Sequence, residues 1–328
     1  MIDRRTCLVG LWGSAVSSSA FGQSGRSLPI VGYVGFATAR ADQRFLASFR
    51  AGLRAHGHVE GGTVAVESRS TEGDVAKGHR AIAELAAMPV DVFLSPGPAT
   101  TRAIIRATSV PVVAIALPYS TDDREFYANL ARPGGRVTGF STYGEELSAK
   151  RIELLKEALP QARRIGVLHN STDPTFSAWG EQTIADARAQ GLEPMRLVLS
   201  TPSRAEVAAQ IKKLRDSGGV ALIVIRDFLT ASLIDEICAL AAQSGIAVIG
   251  EQSEYPRVGA LISYGPYIPD LFQRAAGYID RILKGERAGD LPIQLPTKFE
   301  LVVNLNTAKG LGLTIPPSVL IRADEVIE

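Results

Sequence analysis

Three hydroxyl-bearing residues surround a Gly-Pro turn in Ser95-Pro96-Gly97-Pro98-Ala99-Thr100-Thr101, directly ahead of a helical segment. Free backbone N–H groups and the dipole at a helix start favour an anion, so Ser95, Gly97, Thr100 and Thr101 form a candidate seat for a ligand carboxylate. Helix capping by Ser95 or Thr100 is the competing reading. In Arg226-Asp227-Phe228 the guanidinium suits a carboxylate and Asp227 suits an amino group, unless either pairs with a charge on another part of the fold. Phe36, Tyr119, Phe176, Phe228 and Tyr264 could wall an apolar or flat ligand body, although Phe176 and Phe228 stand at helix starts and could pack inward. That set suits an amino acid or an aromatic acid better than a sugar, whose hydroxyls need several Asp, Asn and Arg partners.

Reactive chemistry is harder to assemble. There is no Gly-Lys pair to end a phosphate loop, Gly32-x-x-Gly35 lacks dinucleotide spacing, and no Ser stands in G-x-S-x-G. His56, His58, His79 and His169 form no H-E-x-x-H, and His56-Gly57-His58 offers two ligands where a metal needs three or four. Asp122-Asp123 and Glu145-Glu146 are adjacent in sequence and read as solvated charges, and Lys150 and Lys156 read as surface residues. Cys7 and Cys238 are the only cysteines. These residues predict a binding protein, not an enzyme, with neither metal nor cofactor.

The elements that must position the loops alternate regularly. Short Val/Ile-rich runs at 30–36, 63–67, 90–95 and 111–117 are separated by helical patterns at 41–56, 74–88 and 99–107. A second series follows, with runs at 164–169, 192–199, 221–225, 246–250 and 260–263 among helical patterns at 146–159, 176–190, 203–217, 231–243 and 269–284. Ser203 with Glu206 predicts a capping box. Two βαβαβα units of about 110 residues imply an α/β protein of two doubly wound parallel-sheet lobes joined by a hinge. Ligands bind beyond the carboxyl ends of such strands. Those ends include Phe36-Ala37-Thr38, the 95–100 loop, Leu117-Pro118-Tyr119, Asn170 to Asp173, Arg226 to Phe228, and Glu251-Gln252-Ser253. Leu117, Asn170 and Asp173 therefore join the candidate site.

Composition narrows the class further. The 328 residues are 46% hydrophobic, with 35 Lys+Arg against 34 Asp+Glu, which describes a folded protein without the basic clusters nucleic acid demands. Asp3-Arg4-Arg5, the uncharged stretch Thr6 to Ala20 and the small residues around Ala20-Phe21-Gly22 read as an export signal, 1–22, cleaved after Gly22. A periplasmic monomer is the resulting expectation. Arg136 to Tyr143 and Leu261 to Gly265, with Gly139, Gly144 and Gly265, are the hinge candidates.

Longer motifs carry a family resemblance. They are Phe49-Arg50-x-Gly52-Leu53-Arg54 with Val59-Glu60-Gly61, Asn129-Leu130-Ala131-Arg132-Pro133-Gly134-Gly135-Arg136-Val137-Thr138-Gly139, and Lys150-Arg151-x-Glu153-Leu154-Leu155-Lys156-Glu157. Ser263-Tyr264-Gly265-Pro266, Leu295-Pro296-Thr297-Lys298-Phe299-Glu300-Leu301-Val302-Val303-Asn304-Leu305 and Ala308 to Ser318 follow. Residues 29–328 resemble the bacterial ABC-transporter substrate-binding proteins that include tryptophan- and phenylalanine-binding members. The resemblance implies a type I periplasmic-binding-protein fold, one small-molecule ligand in the cleft and a membrane permease as partner. By the same likeness the chain crosses between lobes three times, giving 29–140 plus 265–296 and 141–264 plus 297–328. A sensory protein signalling to a membrane receptor would share fold and site. One segment departs from the family: Leu117-Pro118-Tyr119-Ser120-Thr121-Asp122-Asp123-Arg124-Glu125 replaces the usual Asp-Pro-Val-Gly-like turn.

Overall fold

The computed structural model describes residues 28–36, 39–71, 74–119, 125–144 and 147–328. The expected export segment, Ala37-Thr38, the stretch 120–124 with Asp122-Asp123, and Glu145-Glu146 lie outside the described residues. The first half of the chain alternates β1 (Ile30–Gly35), α1 (Ala39–Ala55), β2 (Ala65–Ser70), α2 (Val75–Ala86), β3 (Val92–Ser95), α3 (Pro98–Ala107), β4 (Val112–Leu117) and β5 (Val137–Ser141). The second half begins α4 (Ser148–Ala158), β6 (Arg164–Asn170), α5 (Pro174–Ala189), β7 (Glu193–Leu199), α6 (Arg204–Asp216) and β8 (Ala221–Val224). It continues α7 (Phe228–Ser232), α8 (Ile234–Gln243), β9 (Ala247–Gly250), β10 (Ile262–Pro266), α9 (Ile268–Leu283), β11 (Phe299–Asn304), α10 (Leu305–Gly310), α11 (Pro317–Leu320) and β12 (Glu325–Ile327).

Two sheets result, as the alternating pattern implies. One is parallel throughout, in the order β2-β1-β3-β4-β5; the other runs β12-β11-β10-β9-β8-β6-β7, with only β10 and β11 antiparallel. Strand β4 reads Val-Val-Ala-Ile-Ala-Leu and is buried along its whole length, as a parallel strand covered on both faces must be. The chain passes between the lobes after β5, again between β10 and α9, and a third time before β11. Helix α9 lies on α1, where Phe272 stacks on Phe45 with ring centroids 4.8 Å apart, in one core with Phe49, Leu53 and Ile279.

Three local features differ from the sequence reading. The helix expected over 231–243 starts at Phe228 and breaks at Leu233, because Asp227 and Thr230 form a capping box that initiates a separate turn. At Ser203 only half the expected capping box forms. The Ser203 hydroxyl accepts from the Glu206 N–H at 3.4 Å, while the Glu206 carboxylate turns to the amides and hydroxyls of Ser200 and Thr201. The hinge candidate 136–143 contains β5, a fully buried strand.

Gly139 is required inside that strand. It sits in β5 at φ +136°, and a Cβ there would stand 1.9 Å from the Ala114 carbonyl oxygen, beside the irregular β4–β5 register at Ala114/Leu117. Left-handed backbone and a backbone clash compound each other. Gly139→Ala should therefore lower the unfolding free energy by about 2 kcal/mol or more in urea titration; an unchanged midpoint would contradict this placement.

Candidate ligand-binding site

The loops after β1, β3, β8 and β9 enclose a cavity of about 50 Å³ between the lobes. From the first lobe come Phe36, the loop Pro96 to Thr100, and Asp42 and Phe45 on α1; from the second come Phe176, Arg226, Asp227, Phe228, Ala231 and Gln252. Ile268 and Phe272 of α9 complete the wall. Phe36 reaches the cavity over Gly78 of α2, where a Cβ would lie 1.9 Å from the ring. Phe36 and Phe228 then meet across the lobes, with centroids 5.5 Å apart.

The 95–101 loop divides its labour. The Thr101 hydroxyl lies 2.8 Å from Ser95 Oγ and 2.9 Å from the Gly97 carbonyl, and both hydroxyls are buried behind the cavity, so they shape the loop and do not line it. Gly97, Pro98, Ala99 and Thr100 do line it. Neither Ser95 nor Thr100 caps α3; Gly97 is the N-cap, no side chain among the described residues accepts from its first-turn N–H groups, and the space where a Cβ of Gly97 would go is open. The helix thus presents an uncapped N-terminus to the cavity, the arrangement that holds anions.

The opposite wall is charged. Arg226 is 8% exposed, and its Nη2 is buried with no hydrogen-bond partner among the described residues. Asp227, 2% exposed, accepts from the Thr230 N–H at 2.7 Å and from the Asn170 amide. Burial raises its carboxyl to about 6, against the lowering effect of those hydrogen bonds. Asn170 serves the cavity only through Asp227, since its own carbonyl oxygen takes the Thr172 N–H and hydroxyl.

The remaining sequence candidates lie elsewhere. Leu117 is buried in the core of the first lobe. Tyr119 packs edge-on against Tyr143, with centroids 4.7 Å apart. Tyr264 packs against the core of the second lobe and Phe299. Asp173 caps α5 and pairs at 3.2 Å with Arg102 of α3, which also donates to Thr175 and to Glu125. Arg102 and Asp173 line an outer groove of about 830 Å³ that shares Phe36, Ala99 and Phe228 with the inner cavity. Arg44 of α1 and Glu254, 2.5 Å apart, make a second ion pair between the lobes. The sequence reading missed Phe45 and Phe272 as cavity residues because helical periodicity marks them as core, and they are both.

Comparison with known proteins gives the family and the fold. Residues 39–327 match the family model described as ABC transporter substrate binding protein. A tyrosine-binding protein of Clostridioides difficile (strain R20291) is 25% identical over 265 residues, spanning 80% of this chain and 74% of the relative. Among solved structures, the ABC domain in complex with L-Trp from Streptococcus pneumonia is 25% identical, with a TM-score of 0.83 over 92% of this chain and all of that one. A conserved domain protein from Vibrio cholerae is also 25% identical, with a TM-score of 0.84 over the same shares.

The raised Asp227 carboxyl has a consequence for stability. Its ordinary value is 3.8, so the native state holds this proton while the unfolded chain has released it. The stability it contributes is complete below about pH 4 and is lost as the pH rises through about 6. Urea unfolding from pH 4 to pH 7 should show the wild type losing about 1–3 kcal/mol relative to Asp227→Asn. Parallel pH profiles would contradict the assignment.

Proposed function

Because the chain belongs to the ABC transporter substrate-binding protein family, we propose that it captures an amino acid with an apolar or aromatic side chain, or an aromatic acid, for an ABC importer. Capture would take place in the periplasm, with delivery to a membrane permease. The observation that carries the ligand class is Arg226, whose buried Nη2 has no hydrogen-bond partner among the described residues, lining the same cavity as the uncapped N-terminus of α3. Two anion-favouring groups from opposite lobes suit one carboxylate. Asp227 beside them suits the ammonium, and Phe36, Phe45, Phe228 and Phe272 suit an apolar body. The relatives named for tyrosine and L-Trp support the same class.

Binding works by closure. A ligand favours the closed form only through contacts made there and not in the open form, and groups contributed by both lobes meet that condition. About 50 Å³ holds one or two waters, well below the roughly 300 Å³ of a small-molecule pocket. An amino acid must therefore part the lobes slightly or turn the Phe36 or Phe228 ring.

Titration calorimetry with L-tryptophan, L-tyrosine and L-phenylalanine tests this. At least one should bind, and at about 100 times its Kd it should stabilise the fold by about 2.7 kcal/mol. Arg226→Gln should weaken binding about tenfold or more, and affinity should fall as the pH drops through about 6, where Asp227 gains its proton. Binding by sugars alone, or full affinity in Arg226→Gln, would overturn the ligand class.

A further inference from the structure

Arg151 heads the largest fully buried side chains, at 1% exposure, and has no role in the site as drawn so far. Its Nε donates to the Tyr264 carbonyl at 2.8 Å and its Nη1 to the Gly144 carbonyl at 3.1 Å. Those carbonyls belong to the segments where the chain leaves β5 and where β10 leads towards α9, so one guanidinium ties two inter-lobe connections together. Its Nη2 lies 3.4 Å from Glu251 Oε2. The other oxygen of Glu251 accepts the backbone N–H of Arg226 at 3.3 Å.

Glu251 thus sits between two arginines, touching the backbone of one and the guanidinium of the other. It is 3% exposed, and a carboxylate so buried without a cation would be strongly destabilising. Arg226 is near enough for its charge to act on both Arg151 and Tyr255, yet it makes no ion pair among the described residues. We infer that Arg151 is a positioning residue for ligand capture: by occupying Glu251 it keeps the Arg226 guanidinium from being drawn into an internal ion pair and leaves it for the ligand carboxylate. The inference rests on the proposed function for its ligand, but not for its mechanism. With Arg151 replaced by a neutral side chain, Glu251 takes the next guanidinium, and the cavity loses its cation.

The test compares wild type with Arg151→Met, Arg151→Lys, Glu251→Gln and the double variant Arg151→Met/Glu251→Gln. Affinity for L-tryptophan, L-tyrosine and L-phenylalanine is measured by calorimetry, and phenylglyoxal labelling of Arg226 in ligand-free protein is mapped by mass spectrometry. Arg151→Met should weaken binding about tenfold or more and slow labelling of Arg226. The double variant should return to within about threefold of wild type in both, because the competing carboxylate has gone. Arg151→Lys, which keeps the charge, and Glu251→Gln, which removes the competitor, should each bind within about threefold of wild type. These two decide the matter if Arg151→Met does not fold. A merely structural role is the outcome if the double variant is as weak as Arg151→Met, or if Arg151→Lys fails equally, and either result overturns the inference. Wild type that binds none of the three amino acids sinks the proposed function, while the labelling rates still decide the role of Arg151.

Discussion

A buried guanidinium is costly unless its donors and its charge are answered, and two of them meet at the junction of the two lobes. The Nε and Nη1 of Arg151 are answered by the carbonyls of Tyr264 and Gly144, and its charge by Glu251 at 3.4 Å, although its Nη2 makes no hydrogen bond among the described residues. Burial lowers its pKa, and Glu251 works in the opposite direction. Arg226 shares Glu251 only through its backbone, and its Nη2 lacks a partner among the described residues. One arginine is thus spent on holding the connections between lobes, and the other is left with unmet bonding capacity in the cavity. Arg226 also lines the cavity, where the proposed ligand carboxylate would answer that donor. Gly265 fits the same construction, since a Cβ there would stand 2.3 Å from the Glu251 carbonyl oxygen.

The walls follow from packing. Helix α9 returns to α1, and the stacked pair Phe45–Phe272 that seals this contact also forms one face of the cavity. Core and site are therefore the same surface at that point, so a change in ligand preference there would be felt in stability. Across the cleft, Phe36 on Phe228, Arg102 on Asp173 and Arg44 on Glu254 join the lobes. Arg102 is 12% exposed at its side chain and Arg44 is 35%, so solvent and salt screen the second pair more than the first.

Much of this was legible in the residues. The period-2 and period-3.6 segments placed the central strands and helices within a few residues, and the carboxyl-end rule led to Phe36, Gly97, Thr100, Arg226, Asp227 and Phe228, all of which line the cavity. Side-chain direction was not legible. Ser95 and Thr101 lie in the right loop but spend their hydroxyls on each other, and Asn170 stands behind Asp227. Phe45 and Phe272 carry no signal that separates a core ring from a cavity ring. Arg102 and Arg44 pair with residues 71 and 210 positions away, a distance no local pattern spans. Gly139 drew attention as a flexible residue, whereas the fold needs it for a close approach inside a strand.

The most direct measurement is a crystal structure of the protein with L-phenylalanine or L-tryptophan bound. The account predicts the ligand carboxylate within hydrogen-bond distance of Arg226 Nη2 and of the Ala99 and Thr100 amides, the ammonium on Asp227, and the side chain among the phenylalanine rings. A ligand seated in the outer groove, or one whose carboxylate leaves Arg226 Nη2 without a partner, would contradict it.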